Sequence, residues 1–121
     1  SSESQPVINI DVTRATDLLA QQSPHRYLDV RTEEEFKIGH VANAVNIPYM
    51  FNTPRGRIKN PEFVDKVLGV FGKEDDIIVG CQSGVRSASA ASDLMDAGFE
   101  KVVNMAGGYN AWIRGGFPVH K

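Results

Sequence analysis

Cys81 is the only cysteine of the chain, and it stands where the apolar run Ile77-Ile78-Val79 gives way to the turn Gln82-Ser83-Gly84-Val85-Arg86 and then a helical pattern. A thiol in that position is a candidate nucleophile. The N–H groups of the turn converge on one point, the following helix adds its positive end, and Arg86 adds a full charge. All three favour the thiolate over the thiol. The plainer role for an isolated cysteine is a small buried hydrophobe; strand, glycine-containing turn, arginine and helix in succession favour the reactive one. Gly84 lets the backbone turn closely. The cradle then consists of Gln82, Ser83, Gly84, Val85 and Ser87, whose serine hydroxyls either donate to the sulfur or satisfy the local backbone.

A second group lies upstream. Asp29 and Arg31 sit at the C-terminal end of an expected parallel strand, the edge at which α/β proteins place their sites. They either support the loop or form a strand-end pair that satisfies the turn backbone and each other. His40 is read as a structural histidine bonded within its own turn, because a stabilised thiolate needs no separate base. His25 and His120 are read as solvent groups, and Tyr109 and Trp112 as core and lid packing. One cysteine and three dispersed histidines show no metal-ligand spacing. Gly107-Gly108 is too short for a nucleotide fingerprint, so no cofactor is expected.

The elements that must position these residues alternate. Strand patterns at 7–10, 27–30, 44–47, 77–81 and 102–105 are each followed by a helical one, at 13–21, 32–38, 61–71, 85–97 and 108–113. Five such units predict an α/β layer with a mainly parallel five-stranded sheet and helices on both faces. Thr32 with Glu35 three residues on is a capping-box pattern, Asn60-Pro61 reads as N-cap and first helical residue, and Gly98 reads as a helix stop. The small residues Ser87, Ala88, Ser89, Ala90, Ala91 and Ser92 predict close packing of a helix on the sheet. The stretch 49–59 has no clear periodicity and is read as a surface loop.

With 121 residues the chain fits one domain, 7–121, preceded by a flexible segment 1–6. A formal charge of −2 without a basic tract argues against nucleic acid and anionic membranes as partners. No window reaches the roughly 18 apolar residues of a spanning helix. A lone cysteine also excludes an internal disulfide, which points to an intracellular, reducing compartment. No second thiol is available to resolve a modified Cys81, so discharge must go to an external acceptor.

Taken together, Cys81-Gln82-Ser83-Gly84-Val85-Arg86-Ser87 resembles the active-site loop of the rhodanese-like sulfurtransferases. Tyr27-Leu28-Asp29-Val30-Arg31, followed by Glu35-Phe36, Gly39-His40 and Ala44-Val45-Asn46-Ile47-Pro48, is similar to the first signature of that family. Asn104-Met105-Ala106-Gly107-Gly108-Tyr109-Asn110-Ala111-Trp112, with Gly116-Phe117-Pro118, resembles its C-terminal signature. Three motifs in order cover nearly the whole chain, and the plant single-domain members look most similar. Asn43 departs mildly, standing where the family often has Gly.

The resemblance implies that Cys81 attacks the outer sulfur of a donor such as thiosulfate, becomes a persulfide, and passes that sulfur to cyanide or to a thiol such as glutathione or thioredoxin. Arg86 would meet the anionic end of the donor, with Asp29 and Arg31 in support. A monomer is expected, in cytoplasm or chloroplast stroma. Two rivals share the scaffold: a Cys-based phosphatase or arsenate reductase, and a non-catalytic binding module. Four residues separate Cys81 from Arg86 where the resembling phosphatases have five, and the shorter loop suits a sulfur atom better than a tetrahedral oxyanion.

Overall fold

The computed structural model describes residues 7–20, 25–41 and 43–120; the expectation for 1–6 lies outside them. In chain order the elements begin with β1 (Ile8–Ile10), α1 (Val12–Leu19), β2 (Arg26–Asp29), α2 (Glu33–Ile38), β3 (His40–Val41) and β4 (Val45–Asn46). They continue with β5 (Met50–Thr53), β6 (Gly56–Lys59), α3 (Phe63–Leu68), β7 (Ile77–Gly80), α4 (Val85–Asp96), β8 (Val102–Met105), α5 (Gly108–Arg114) and β9 (Val119–His120).

Five strands pair in the order β1-β8-β7-β2-β4, every pair parallel, as the alternation of strand and helix patterns predicts. Alternate strand residues face opposite ways. Leu28, Ile77 and Val79 therefore pack with Phe63 and Val67 of α3 and Ala90, Ala91 and Leu94 of α4. Tyr27, Ile78 and Met105 pack with Ala15 and Leu18 of α1 and Tyr109 and Trp112 of α5. Helices thus cover both faces, and the small residues of α4 bring its backbone close to the sheet.

The chain leaves β2 outward to β4 but leaves β7 in the other direction to β8, so the β2–β7 boundary is a topological switch point, where α/β sheets open a crevice. Asp29 and Gly80 are register partners there, one residue before Cys81. Position in the sheet therefore selects this loop before any side chain is considered.

Local signals carry through at several ends. Thr32 and Glu35 form both bonds of the capping box at the start of α2. Past α4, Phe99 N–H donates to Leu94 O at 3.0 Å and Gly98 N–H to Met95 O at 3.1 Å, while Gly98 has φ 104°. That is a Schellman stop. Asn43 has φ 65°, a left-handed backbone that Asn tolerates better than most non-glycine residues.

Two expectations are corrected. The segment 49–59 is a hairpin, with Met50↔Lys59 through Thr53↔Gly56 in antiparallel register around the two-residue turn Pro54-Arg55. It docks on α4, where Asp93 accepts from the Tyr49 hydroxyl at 2.8 Å and pairs with Lys59 at 2.9 Å. Nor is Asn60 the N-cap of α3. Glu62 holds that position without a side-chain bond, and Asn60 instead donates to Pro48 O at 2.9 Å and accepts from Glu62 N–H at 3.0 Å. The pair β3–β9 adds a small antiparallel ribbon near the C-terminus that the strand patterns do not reveal.

Candidate active site

Cys81 follows β7, and its Sγ accepts the N–H of Gly84 at 3.0 Å as the chain turns into α4. Gly84 has φ 98°, which only glycine adopts freely, and a Cβ there would press on Gly107 N at 3.2 Å. The hydroxyl of Ser87, in the first turn of α4, lies 3.4 Å from the sulfur. It also reaches Asn104 Oδ1, so its single hydrogen has two acceptors in range. Asn104 Nδ2 donates to Gly84 O at 3.3 Å and to Asn9 Oδ1 at 2.9 Å, which ties the loop to β8 and β1. Sequence reasoning quotes Asn104 in a signature and gives it no task; nothing in its residue type announces one.

The carbonyls on the other side of the loop are held by α5. Tyr109 N–H donates to Cys81 O at 2.8 Å and Asn110 N–H to Gln82 O at 3.0 Å. Gly108 makes that approach possible, because a Cβ on it would come within 2.5 Å of Cys81 O. A Cβ on Gly80 would likewise overlap the Tyr27 hydroxyl. Helix ends thus meet both edges of the turn, with amides toward sulfur on one side and toward carbonyls on the other.

Two guanidinium groups flank the loop. Arg31 is clamped by Asp29, whose Oδ1 accepts from the Arg31 backbone and Nε at 3.0 Å each and whose Oδ2 accepts from Nη2 at 2.7 Å. Both side chains are 2 % exposed. Arg31 Nη2 also donates to Gly39 O at 2.7 Å, Nη1 reaches Gln82 Oε1 at 3.3 Å, and the guanidinium lies 4.2 Å over the Tyr109 ring. Burial works against its charge, and Asp29 outweighs burial, so its pKa is raised.

Arg86 projects from the first turn of α4 onto Glu35 of α2, with Nη1–Oε1 at 2.9 Å and Nη2–Oε2 at 3.1 Å. Burial raises the Glu35 pKa, but the Arg86 bonds and those of Thr32 prevail and bring it down to about 2. Glu35 therefore both caps α2 and holds Arg86, and the sequence reading catches only the first task.

The remaining cradle residues are placed as follows. Gln82 bridges Arg31 to Asn110 through its amide; Ser83 is exposed, and the Val85 side chain faces solvent. His40 Nδ1 is 2.8 Å from Phe36 O and its ring stacks on Phe36 at 3.7 Å, the within-turn role expected of it. Cys81 itself keeps only 1 % of its surface, deeper than its place at a strand end suggests. A cavity of about 240 Å³ lined by Thr16, Leu19, Val41 and Trp112 includes none of the loop residues.

A cysteine at the switch point of a parallel sheet, cradled by a strand-turn-helix loop, defines a thiol-loop α/β protein. A family model described as Rhodanese-like domain matches residues 11–114. The chain belongs to the rhodanese-like family. It is 51 % identical over 122 residues to Thiosulfate sulfurtransferase 18 of Arabidopsis thaliana, covering 99 % of this chain and 88 % of that protein. It is 47 % identical to Protein HIGH ARSENIC CONTENT 1, mitochondrial, of the same plant, covering 97 % of this chain and 68 % of that one. Among solved structures, a rhodanese-like domain protein from Staphylococcus aureus superposes with a TM-score of 0.72 at 29 % identity, covering 88 % of this chain and 91 % of its own.

Proposed function

We propose that the protein is a sulfurtransferase that carries one sulfur on Cys81, with thiosulfate as donor and a thiol as acceptor. The observation that carries this reading is the environment of the sulfur, which accepts an amide at 3.0 Å at the head of α4 with a hydroxyl 3.4 Å away. Donors fixed in that way stabilise a thiolate, and later a persulfide anion, without reorganising. In the first step the Cys81 thiolate attacks the outer sulfur of thiosulfate; an S–S bond forms, the bond to the sulfonate sulfur breaks, and sulfite leaves with the electron pair. In the second, an acceptor thiolate takes the terminal sulfur, and the Cys81 thiolate departs. Cyanide replaces the thiol in the simplest assay and leaves as thiocyanate. Arg86 is the residue proposed to meet the sulfonate end, in competition with Glu35, while Arg31 acts through Gln82 to steady the loop.

A second reading, arsenate reduction at the same sulfur, draws on the similarity to the relative named for arsenic content. Intact-mass measurement after incubation with thiosulfate separates the readings. The native chain is expected to gain one sulfur that cyanide removes, and Cys81→Ser to gain none. Glutathione-dependent formation of arsenite without sulfur loading would replace the proposal with the second reading, and loading that survives Cys81→Ser would refute it.

A further inference from the structure

Both cations beside the loop are matched by carboxylates: Arg31 by Asp29 and Arg86 by Glu35. The four side chains sum to zero charge. What remains to attract an anion is the partial charge of loop amides and the end of α4, which gives little to a tetrahedral dianion, whether arsenate or the sulfonate end of thiosulfate. A guanidinium recognises such a dianion by offering its N–H groups as a fork. Here both Nη groups of Arg86 already lie on Glu35, at 2.9 and 3.1 Å. The carboxylate is itself held by the capping box, since Oε1 accepts from Thr32 N–H at 3.2 Å and from its hydroxyl at 3.1 Å. It stays ionised down to about pH 2, so the Arg86 charge remains compensated at any working pH.

We propose that Glu35 is a positioning residue that sets anion affinity: by occupying the fork of Arg86 it weakens the binding of tetrahedral anions over Cys81, arsenate and the sulfonate end of thiosulfate alike. The inference rests on the Cys81 loop being the anion-receiving site, and it concerns affinity rather than turnover.

Thermal-shift titration with sodium arsenate, at constant ionic strength, tests it without requiring any reaction, because a ligand that binds the folded state raises the melting temperature by mass action. Glu35→Gln removes the charge while Gln can still serve in the capping box. It is expected to bind arsenate about tenfold more tightly than the native chain, the order of one charge-assisted hydrogen bond regained. Adding Arg86→Ala should abolish the gain, and Glu35→Asp should restore weak binding. In thiosulfate kinetics the KM of Glu35→Gln should fall by a larger factor than kcat changes. Arsenate affinity equal to native in Glu35→Gln, or a gain that persists without Arg86, would overturn the inference. Glu35→Ala supplies the same comparison should Glu35→Gln not fold. Absence of sulfur loading in the native chain would count against the sulfurtransferase reading and leave these affinities to decide this one.

Discussion

Asp29–Arg31 and Glu35–Arg86 each place a guanidinium beside the same loop, yet they are built differently. The first is local, two residues apart, with both side chains 2 % exposed and each nitrogen of the guanidinium bonded to Asp29, Gly39 or Gln82. The second joins residues 51 apart on two helices, with Arg86 9 % and Glu35 25 % exposed. A fully buried pair offers no route by which a ligand could replace one partner, and opening it strands a charge. A half-open pair can exchange partners. The fold therefore fixes one cation as framework and leaves the other able to respond to what enters the site.

The sharpest break in this comparison is Asp29→Ala, which leaves the Arg31 charge buried and unpaired. A loss of about 3–5 kcal/mol in urea unfolding is expected. A loss below 1 kcal/mol would show that Arg31 finds water and that the two pairs are alike.

Acid unfolding probes the second pair. Glu35 has an ordinary pKa of 4.5 and a folded value of about 2, so its contribution to stability is fully present above 4.5 and is lost as pH falls toward 2. Glu35→Gln is expected to lose stability less steeply than the native chain between those limits, measured as unfolding free energy against pH. Identical slopes would remove Glu35 from the acid response. The smallest effect belongs to an exposed control pair, Lys59–Asp93. Lys59 is 58 % exposed, so Lys59→Ala should cost no more than about 0.5 kcal/mol despite the 2.9 Å contact.

Much of this architecture is legible in the sequence, and the gaps have physical causes. The parallel strands at the sheet centre are continuous apolar runs, and the caps at Thr32 and Gly98 are local motifs, so both can be read without a fold. The hairpin 50–59 is missed because its strands are largely exposed and carry no apolar alternation; the signal that could have found it is Pro54-Arg55-Gly56, with Gly56 at φ 109°. Asn60 misleads because its side chain serves the turn leading into the helix, two residues ahead of the N-cap. Cys81 and its cradle are legible as a motif, whereas Glu35–Arg86 and the Asn104–Ser87 contact join segments far apart in the chain, and neither partner's residue type names the other. Glu35 shows a further difficulty: one visible task, the helix cap, conceals the second.

Burial of Cys81 bears on what can touch it. With 1 % of its surface open and both edges of its turn tied to helix ends, the sulfur is almost wholly covered by its own loop and neighbours. Reagents must be slender: a linear ion or a thiol on a flexible tip reaches it, while a thiol lying flat on a partner's surface stays too far away. On the proposed sulfurtransferase reading, selection among acceptors is partly a matter of reach, and a receiving protein must present its thiol on a protruding finger.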